Sequence, residues 1–204
     1  MNPLNTIKGT IIGGVVIAVV IALLYSLSHT GVHFNVASFI VWLHVMAGIT
    51  WIGLLYYFNF VQAPALAAAA ADQGGPGGAG IGKYVVPLAL VWFRWGAAAT
   101  WLTGAGYLAH RGLLLDAFTL GLRNNNAGGG FWIGVGAWFG TIMLFNVWVL
   151  IWPNQKKVLG MVEATADEIA RARRVAFLAS RTNTLLSIPM LMSMVSLGHG
   201  GFFL

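Results

Sequence analysis

The residue of this chain best suited to chemistry is His44, which stands in the apolar run Leu43-His44-Val45-Met46-Ala47-Gly48-Ile49-Thr50-Trp51-Ile52-Gly53, continued by Leu54-Leu55-Tyr56-Tyr57-Phe58. An ionisable side chain in such a run marks a functional position, because a membrane interior tolerates it only where it has a partner. A neutral imidazole is a common axial ligand of haem iron, and histidines on two helices can clamp the ring between them. If the run is helical, positions 44, 48, 51 and 55 share a face, so the imidazole lies above Gly48 and beside Trp51 with room for a flat group. The partner ligand expected is His199, in Leu197-Gly198-His199-Gly200-Gly201, where flanking glycines permit close approach. The structural alternative is a histidine hydrogen-bonded to a neighbouring helix. His29 and His33 read as solvated loop residues, and His110, followed by Arg111, as an interfacial residue at a helix end.

Arg94, in Trp92-Phe93-Arg94-Trp95, is the second intramembrane anomaly, about eleven residues beyond Lys83 and so near mid-bilayer. A charge there must be paired, hydrated or snorkelled. Two roles stand open: a partner for a haem propionate or an anionic substrate, or a hydrogen bond to Asn146 or helix carbonyls with cation–π contact to the tryptophans. The expected cofactor site therefore comprises His44, His199, Gly48, Trp51 and Arg94, with His44 and His199 as metal ligands of a b-type haem and no catalytic residue assigned. Asn59, Asn146, Asn183, Thr50, Thr100 and Thr103 read as interhelical hydrogen-bonding residues. Glycines 134, 136 and 140 lie within an apolar segment, not between a strand and a helix. They read as close-packing positions, not as a nucleotide loop.

The elements that must position these groups follow from composition. Hydrophobic residues make up 58% of the 204 and charged residues 8%, with nine Trp and 27 Gly; mean hydropathy is +0.80. Such a chain cannot cover a water-facing surface with charge, so it reads as an all-α integral membrane protein in the bacterial inner membrane, with the lipid bilayer as its solvent. Its net charge of +6 reports on membrane orientation and implies no nucleic-acid partner. The absence of cysteine excludes disulfides, thiolate metal sites, iron–sulfur clusters and covalent c-type haem attachment. Any haem is held non-covalently.

Five apolar segments are long enough to cross a bilayer, approximately 9–28, 35–62, 84–110, 131–152 and 176–203, and predict a single five-helix bundle over residues 1–204. The first resembles a signal peptide, but its long run without an Ala-x-Ala site reads as an uncleaved anchor. With the N-terminus cytoplasmic, Lys8, Lys83, Lys156, Lys157, Arg171, Arg173, Arg174 and Arg181 lie inside and only Arg111 and Arg123 outside, so the C-terminus is expected to be periplasmic. This topology puts all five histidines in the outer half, His44 roughly 13 Å below the outer boundary. Residues 67–82, rich in Ala and Gly, read as a mobile cytoplasmic connector. Thr165-Ala166-Asp167-Glu168 is a capping-box pattern opening a helix that runs into the fifth segment, which Pro189 is expected to kink. The Asn124-Asn125-Asn126 stretch and its glycines read as a turn-rich outer loop.

Three blocks carry a resemblance to a known family. The run from Leu43 to Gly53, then Trp92-Phe93-Arg94-Trp95 with Thr100-Trp101-Leu102-Thr103-Gly104, then Thr184-Leu185-Leu186-Ser187-Ile188-Pro189 with Met190-Leu191-Met192-Ser193-Met194, resemble the membrane domain of bacterial cytochrome c-linked urate oxidase, in the family's order and over spans two, three and five. The resemblance implies a membrane oxidoreductase module that passes electrons toward a c-type cytochrome. It implies His44 as the family's span-two histidine and His199 as its counterpart after the proline segment. Two departures stand out: the chain carries no cysteine and hence no fused c-type cytochrome, and it has Thr182-Asn183-Thr184 where the family tends to show His-Asn-Asn.

The resulting expectation is a haem b protein relaying electrons in a respiratory or oxidase assembly with other membrane subunits. A urate-oxidising enzyme and a non-catalytic accessory subunit are the alternatives. A transporter is disfavoured, since five spans give no even inverted repeat and no intramembrane carboxylate was found to couple protons.

Overall fold

The computed structural model describes residues 2–123 and 129–199 and, among them, contains helices joined by turns and loops, with no strand. It divides into two compact units, Met1–Val36 and Ala37–Leu204. The first holds a short 3-10 turn, Pro3–Asn5, and α1, Ile7–Ser28. Thr6 caps α1 by accepting the Gly9 amide at 3.0 Å. No α1 residue is buried, although the helix is apolar enough along its length to cross a membrane.

The second unit contains α2 (Val36–Tyr56), α3 (Ala63–Ala71), α4 (Val86–His110), α5 (Leu114–Phe118), α6 (Gly129–Phe145), α7 (Trp152–Val158) and α8 (Ala166–His199). Three π-helical segments, Tyr57–Gln62, Ile81–Val85 and Asn146–Ile151, join or open these helices. Each ends just before a proline. The amides of Ala63, Val86 and Trp152 donate five residues back, to Phe58, Ile81 and Val147, and Pro64, Pro87 and Pro153 follow directly. A proline supplies no amide and crowds the carbonyl four residues earlier; a widened turn absorbs both defects without breaking the helix. Continuous helices therefore run over Val36–Ala71, Ile81–His110 and Gly129–Val158. Residues 67–71, read as connector, are helical, and α8 runs through Pro189 without a break.

Among the described residues four helices are long and apolar enough to cross a membrane: Ile7–Ser28, Val36–Ala71, Ile81–His110 and Gly129–Val158. The fifth expected segment forms the distal part of α8, which is long enough, at 34 residues, but is not apolar enough to count with them. Its buried face explains why. Ala172, Ala176, Ala179, Asn183, Ser187, Met190, Ser193 and Ser196 are buried, while Leu185, Ile188, Leu191 and Val195 are exposed. The small and polar residues face the other helices and the large apolar ones face outward, the inverse of a water-soluble helix.

The core joins Trp51 and Leu55 of α2, Leu90, Phe93 and Ala97 of α4, Met143, Val147 and Ile151 of the α6 helix, and Ala179 and Met190 of α8. Asn183, fully buried, ties the last two: Asn146 donates to its Oδ1 at 2.8 Å and its Nδ2 donates to the Met143 carbonyl at 3.0 Å. Asn59 donates to Ser180 Oγ at 2.8 Å. Ser187 Oγ donates to the Thr184 carbonyl, so the Tyr56 hydroxyl is the donor in its 2.9 Å bond to Ser187. The short α5, unforeseen from sequence, packs on α6 through Ala117 and Phe118. Gly112, at φ +69°, closes α4 with the paired amide bonds Leu113 to Leu108 and Gly112 to Ala109, a left-handed cap that only glycine adopts freely.

The capping box at the start of α8 is present. Glu168 accepts the Thr165 amide at 2.8 Å and Thr165 Oγ1 accepts the Glu168 amide at 3.3 Å. The Thr165 amide, the Thr165 hydroxyl and the Lys157 ammonium hold the Glu168 carboxyl below the usual carboxylate range. A depressed carboxylate pKa stabilises the fold above the unfolded value and ceases to do so as pH falls through the folded value. Amide protection at Thr165, corrected for intrinsic exchange, is therefore expected to be greater at pH 7 than at pH 3, and Glu168→Ala to abolish that difference; equal protection in the parent chain at both pH values would refute the cap's charge dependence.

Candidate functional site

His44 sits against α4. Its Nδ1 lies 2.8 Å from the Thr100 carbonyl and 3.3 Å from Thr103 Oγ1. A carbonyl only accepts, so Nδ1 carries the proton and Nε2 keeps its lone pair. Thr103 Oγ1 already donates to the Ala99 carbonyl at 2.7 Å, and so can only accept from the imidazole. Gly104 makes this approach possible: a Cβ there would stand 2.9 Å from His44 Cε1. The arrangement is the usual support of a metal-binding histidine, one ring nitrogen donated to a backbone carbonyl and the other left free to ligate.

The rest of the expected site is distributed differently. The face beneath His44 is occupied by α4: Gly48 approaches Thr100 and Gly96 approaches the Trp51 backbone. Trp51 is 1% exposed, with its Nε1 buried and without a hydrogen-bond partner. That face accordingly holds a helix contact, and the flat space anticipated there is filled. His199 is exposed at the end of α8, with Nδ1 3.1 Å from the Val195 carbonyl of its own helix; no described contact joins it to His44. Among the described residues no cluster of three or more His, Cys, Asp or Glu is placed to hold a metal ion; a haem would need only single histidines as axial ligands, and His44 Nε2 could serve as one.

No hydrogen bond joins Arg94 to Asn146, whose Nδ2 donates to Asn183 Oδ1. Side chains on a helix lean toward its N-terminus, and the Arg94 guanidinium accordingly reaches back along α4 to lie 3.8 Å from the Trp152 ring and 5.9 Å from that of Trp148. Its Nε is buried without a hydrogen-bond partner. The stretch Asn124-Asn125-Asn126 lies outside the described residues.

Sequence reasoning missed a cavity of about 160 Å³ near the basic end of the bundle, where Phe58, Asn59, Gln62, Gln155, Arg173 and Ser180 are among the lining residues. Gln62 Oε1 is buried without a donor, and no carboxylate lines the space. The signal lay in Gln62 and Gln155, two amides bracketed by apolar segments, each beside a proline-linked π turn.

Comparison with known proteins agrees with this picture over part of the chain. No match was found among curated proteins or among solved structures. The family model described as urate oxidase N-terminal matches residues 106–203, just under half of the chain. The block from Thr184 to Met194 falls inside the match, while the blocks around His44 and Arg94 precede it. From the end of α4 through α8, then, this chain carries the pattern of the urate oxidase N-terminal family.

Proposed function

We propose that the chain is the membrane module of a urate oxidase-like oxidoreductase and binds one b-type haem through His44 Nε2, relaying electrons within an oxidase assembly of the bacterial inner membrane. The observation that carries this reading is the 2.8 Å bond from His44 Nδ1 to the Thr100 carbonyl, which fixes the tautomer a ligand needs. When bound, the haem supplies a one-electron carrier. This chain's own residues hold the imidazole upright: the Thr100 carbonyl and the Thr103 hydroxyl accept its Nδ1–H, and Gly104 admits the ring. The second axial ligand is His199 or a partner subunit's residue, and a separate c-type cytochrome is the acceptor.

Five spans are part of the proposal, α8 being the fifth. Its inverted face, polar within and apolar without, supports that reading. The positive-inside rule orients the basic end, with Lys83, Lys156 and Arg173, toward the cytoplasm. A dithionite-reduced minus air-oxidised spectrum of detergent-purified protein is expected to show b-type bands at about one haem per chain; well-folded protein without a chromophore would overturn the relay and favour an accessory subunit.

The basic cavity favours a second reading, oxidation of urate itself. A planar purine anion brings N–H donors for Gln62 Oε1 and negative charge for Arg173. Urate is then expected to reduce the haem-loaded protein, and Arg173→Gln to weaken that reduction roughly tenfold, the scale of one lost charge-assisted hydrogen bond. Failure of urate to reduce the holoprotein would leave the relay alone.

A further inference from the structure

On the outward side of α4 and α6 an open groove of about 470 Å³ is lined by Ala98, Trp101, Leu102, Leu144, Phe145 and Trp148, with Thr141. Its polar groups are already used: Trp101 Nε1 donates to Thr141 Oγ1 at 2.9 Å, and Thr141 donates to the Ala137 carbonyl at 2.8 Å. The wall therefore offers hydrocarbon contact and no unmet hydrogen bond. Trp148 ends the groove, and beyond it comes a pair of cations. The Arg94 guanidinium lies 3.8 Å and the Lys156 ammonium 5.8 Å from the same Trp152 ring. Two like charges on one indole repel each other, no carboxylate is paired with either among the described residues, and Arg94 Nε is a buried donor without an acceptor. Charge and solvation both call for an anion at this point.

We infer that this is a binding site for an anionic phospholipid: the groove takes an acyl chain and Arg94 with Lys156 takes the headgroup phosphate. The occupant is fixed by the juxtaposition of an apolar channel with two unneutralised cations at its basic end. A soluble anion would have no use for the groove, and a zwitterionic lipid brings its own ammonium beside the phosphate and so adds no net negative charge to the cation pair. Tryptophans at the junction suit the same depth, since indoles favour the boundary between hydrocarbon and headgroups. The inference depends on the chain crossing the membrane and is independent of haem binding at His44.

The test is native mass spectrometry and thermal unfolding of the full chain in detergent, with dioleoylphosphatidylglycerol, dioleoylphosphatidylcholine or inorganic phosphate added. The phosphatidylglycerol is expected to remain bound and raise the melting temperature, with phosphatidylcholine clearly weaker and millimolar phosphate without effect. Arg94→Gln and Lys156→Gln are each expected to weaken phosphatidylglycerol binding roughly tenfold. Ala98→Phe, which fills the groove and leaves both cations in place, is expected to weaken it as well, and this variant together with Lys156→Gln carries the test if Arg94→Gln does not fold. Equal retention of the two lipids, wild-type binding by the variants, or full stabilisation by phosphate alone would each overturn the assignment.

Discussion

Replacement of His44 by alanine is expected to abolish haem content while leaving a folded, monodisperse protein. The side chain contributes one imidazole to the α2–α4 contact, and its single strong bond is to a backbone carbonyl, Thr100, which keeps its place in the α4 hydrogen-bond ladder when the imidazole is gone. The fold therefore loses little, whereas the haem loses the ligand nitrogen that the Thr100 carbonyl orients from the neighbouring helix. Gly104→Ala tests the same geometry from the other side. Its methyl would stand 2.9 Å from His44 Cε1, so the ring must shift off the Thr100 carbonyl, and haem occupancy is expected to fall without a change in ligand identity. His33→Ala, in an exposed loop, is expected to retain haem fully, and His199→Ala to lower or alter it if the end of α8 supplies the second ligand. Pyridine haemochrome assay of each purified variant decides the matter: full haem in the His44 variant would refute ligation there.

How much of this arrangement was legible depends on whether its signal lies in residue type. His44 was readable because an imidazole in an apolar run is costly and must be explained. Its immediate partner was not, because a backbone carbonyl has no residue identity; only Gly104, in the block quoted for the resemblance, hinted at a close approach. The asparagines read as interhelical partners are so in Asn59, Asn146 and Asn183, whereas Thr50 and Thr100 turn their hydroxyls to their own helices. For Arg94 the cation–π contact to tryptophan read from sequence is present, on Trp152 and Trp148, whereas the hydrogen bond to Asn146 read beside it is not, because a long side chain carries its charge toward the helix N-terminus. The span limits were recovered to within a few residues for α1, while the helices through α3 and α7 run past their apolar segments because π turns carry them through proline. The fifth segment shows the limit of hydropathy as a guide: Asn183, Ser187, Ser193 and Ser196 lower it, and all four are buried against protein.

Gly134→Ala is expected to destabilise the bundle more than Gly136→Ala or Gly140→Ala. A Cβ at 134 would collide with the Ala117 carbonyl of α5 and stand 2.8 Å from Leu120 Cδ2. The first obstacle is backbone, held where it is by the Leu120 amide bonded to that same carbonyl at 3.0 Å, so no rotamer change relieves it. Overpacking of this kind costs about 1–3 kcal/mol. Gly136→Ala meets Ser193 Oγ and the end of Met194, side-chain atoms that can move, and is expected to cost less. Gly140 has nothing within 4 Å of its would-be Cβ, so Gly140→Ala is expected to stabilise by about 0.5–1 kcal/mol through helix propensity alone. The three glycines read alike in sequence, as small residues on one apolar segment, and differ only in what stands opposite. Thermal unfolding in one detergent should therefore rank the variants 140 above wild type, then 136, then 134. A Gly134→Ala protein that melts with the Gly140→Ala protein would mean that α5 does not rest on α6 as described, and with it would go the cluster of Leu108, Ala117, Ile133 and Ala137 that joins α4, α5 and α6.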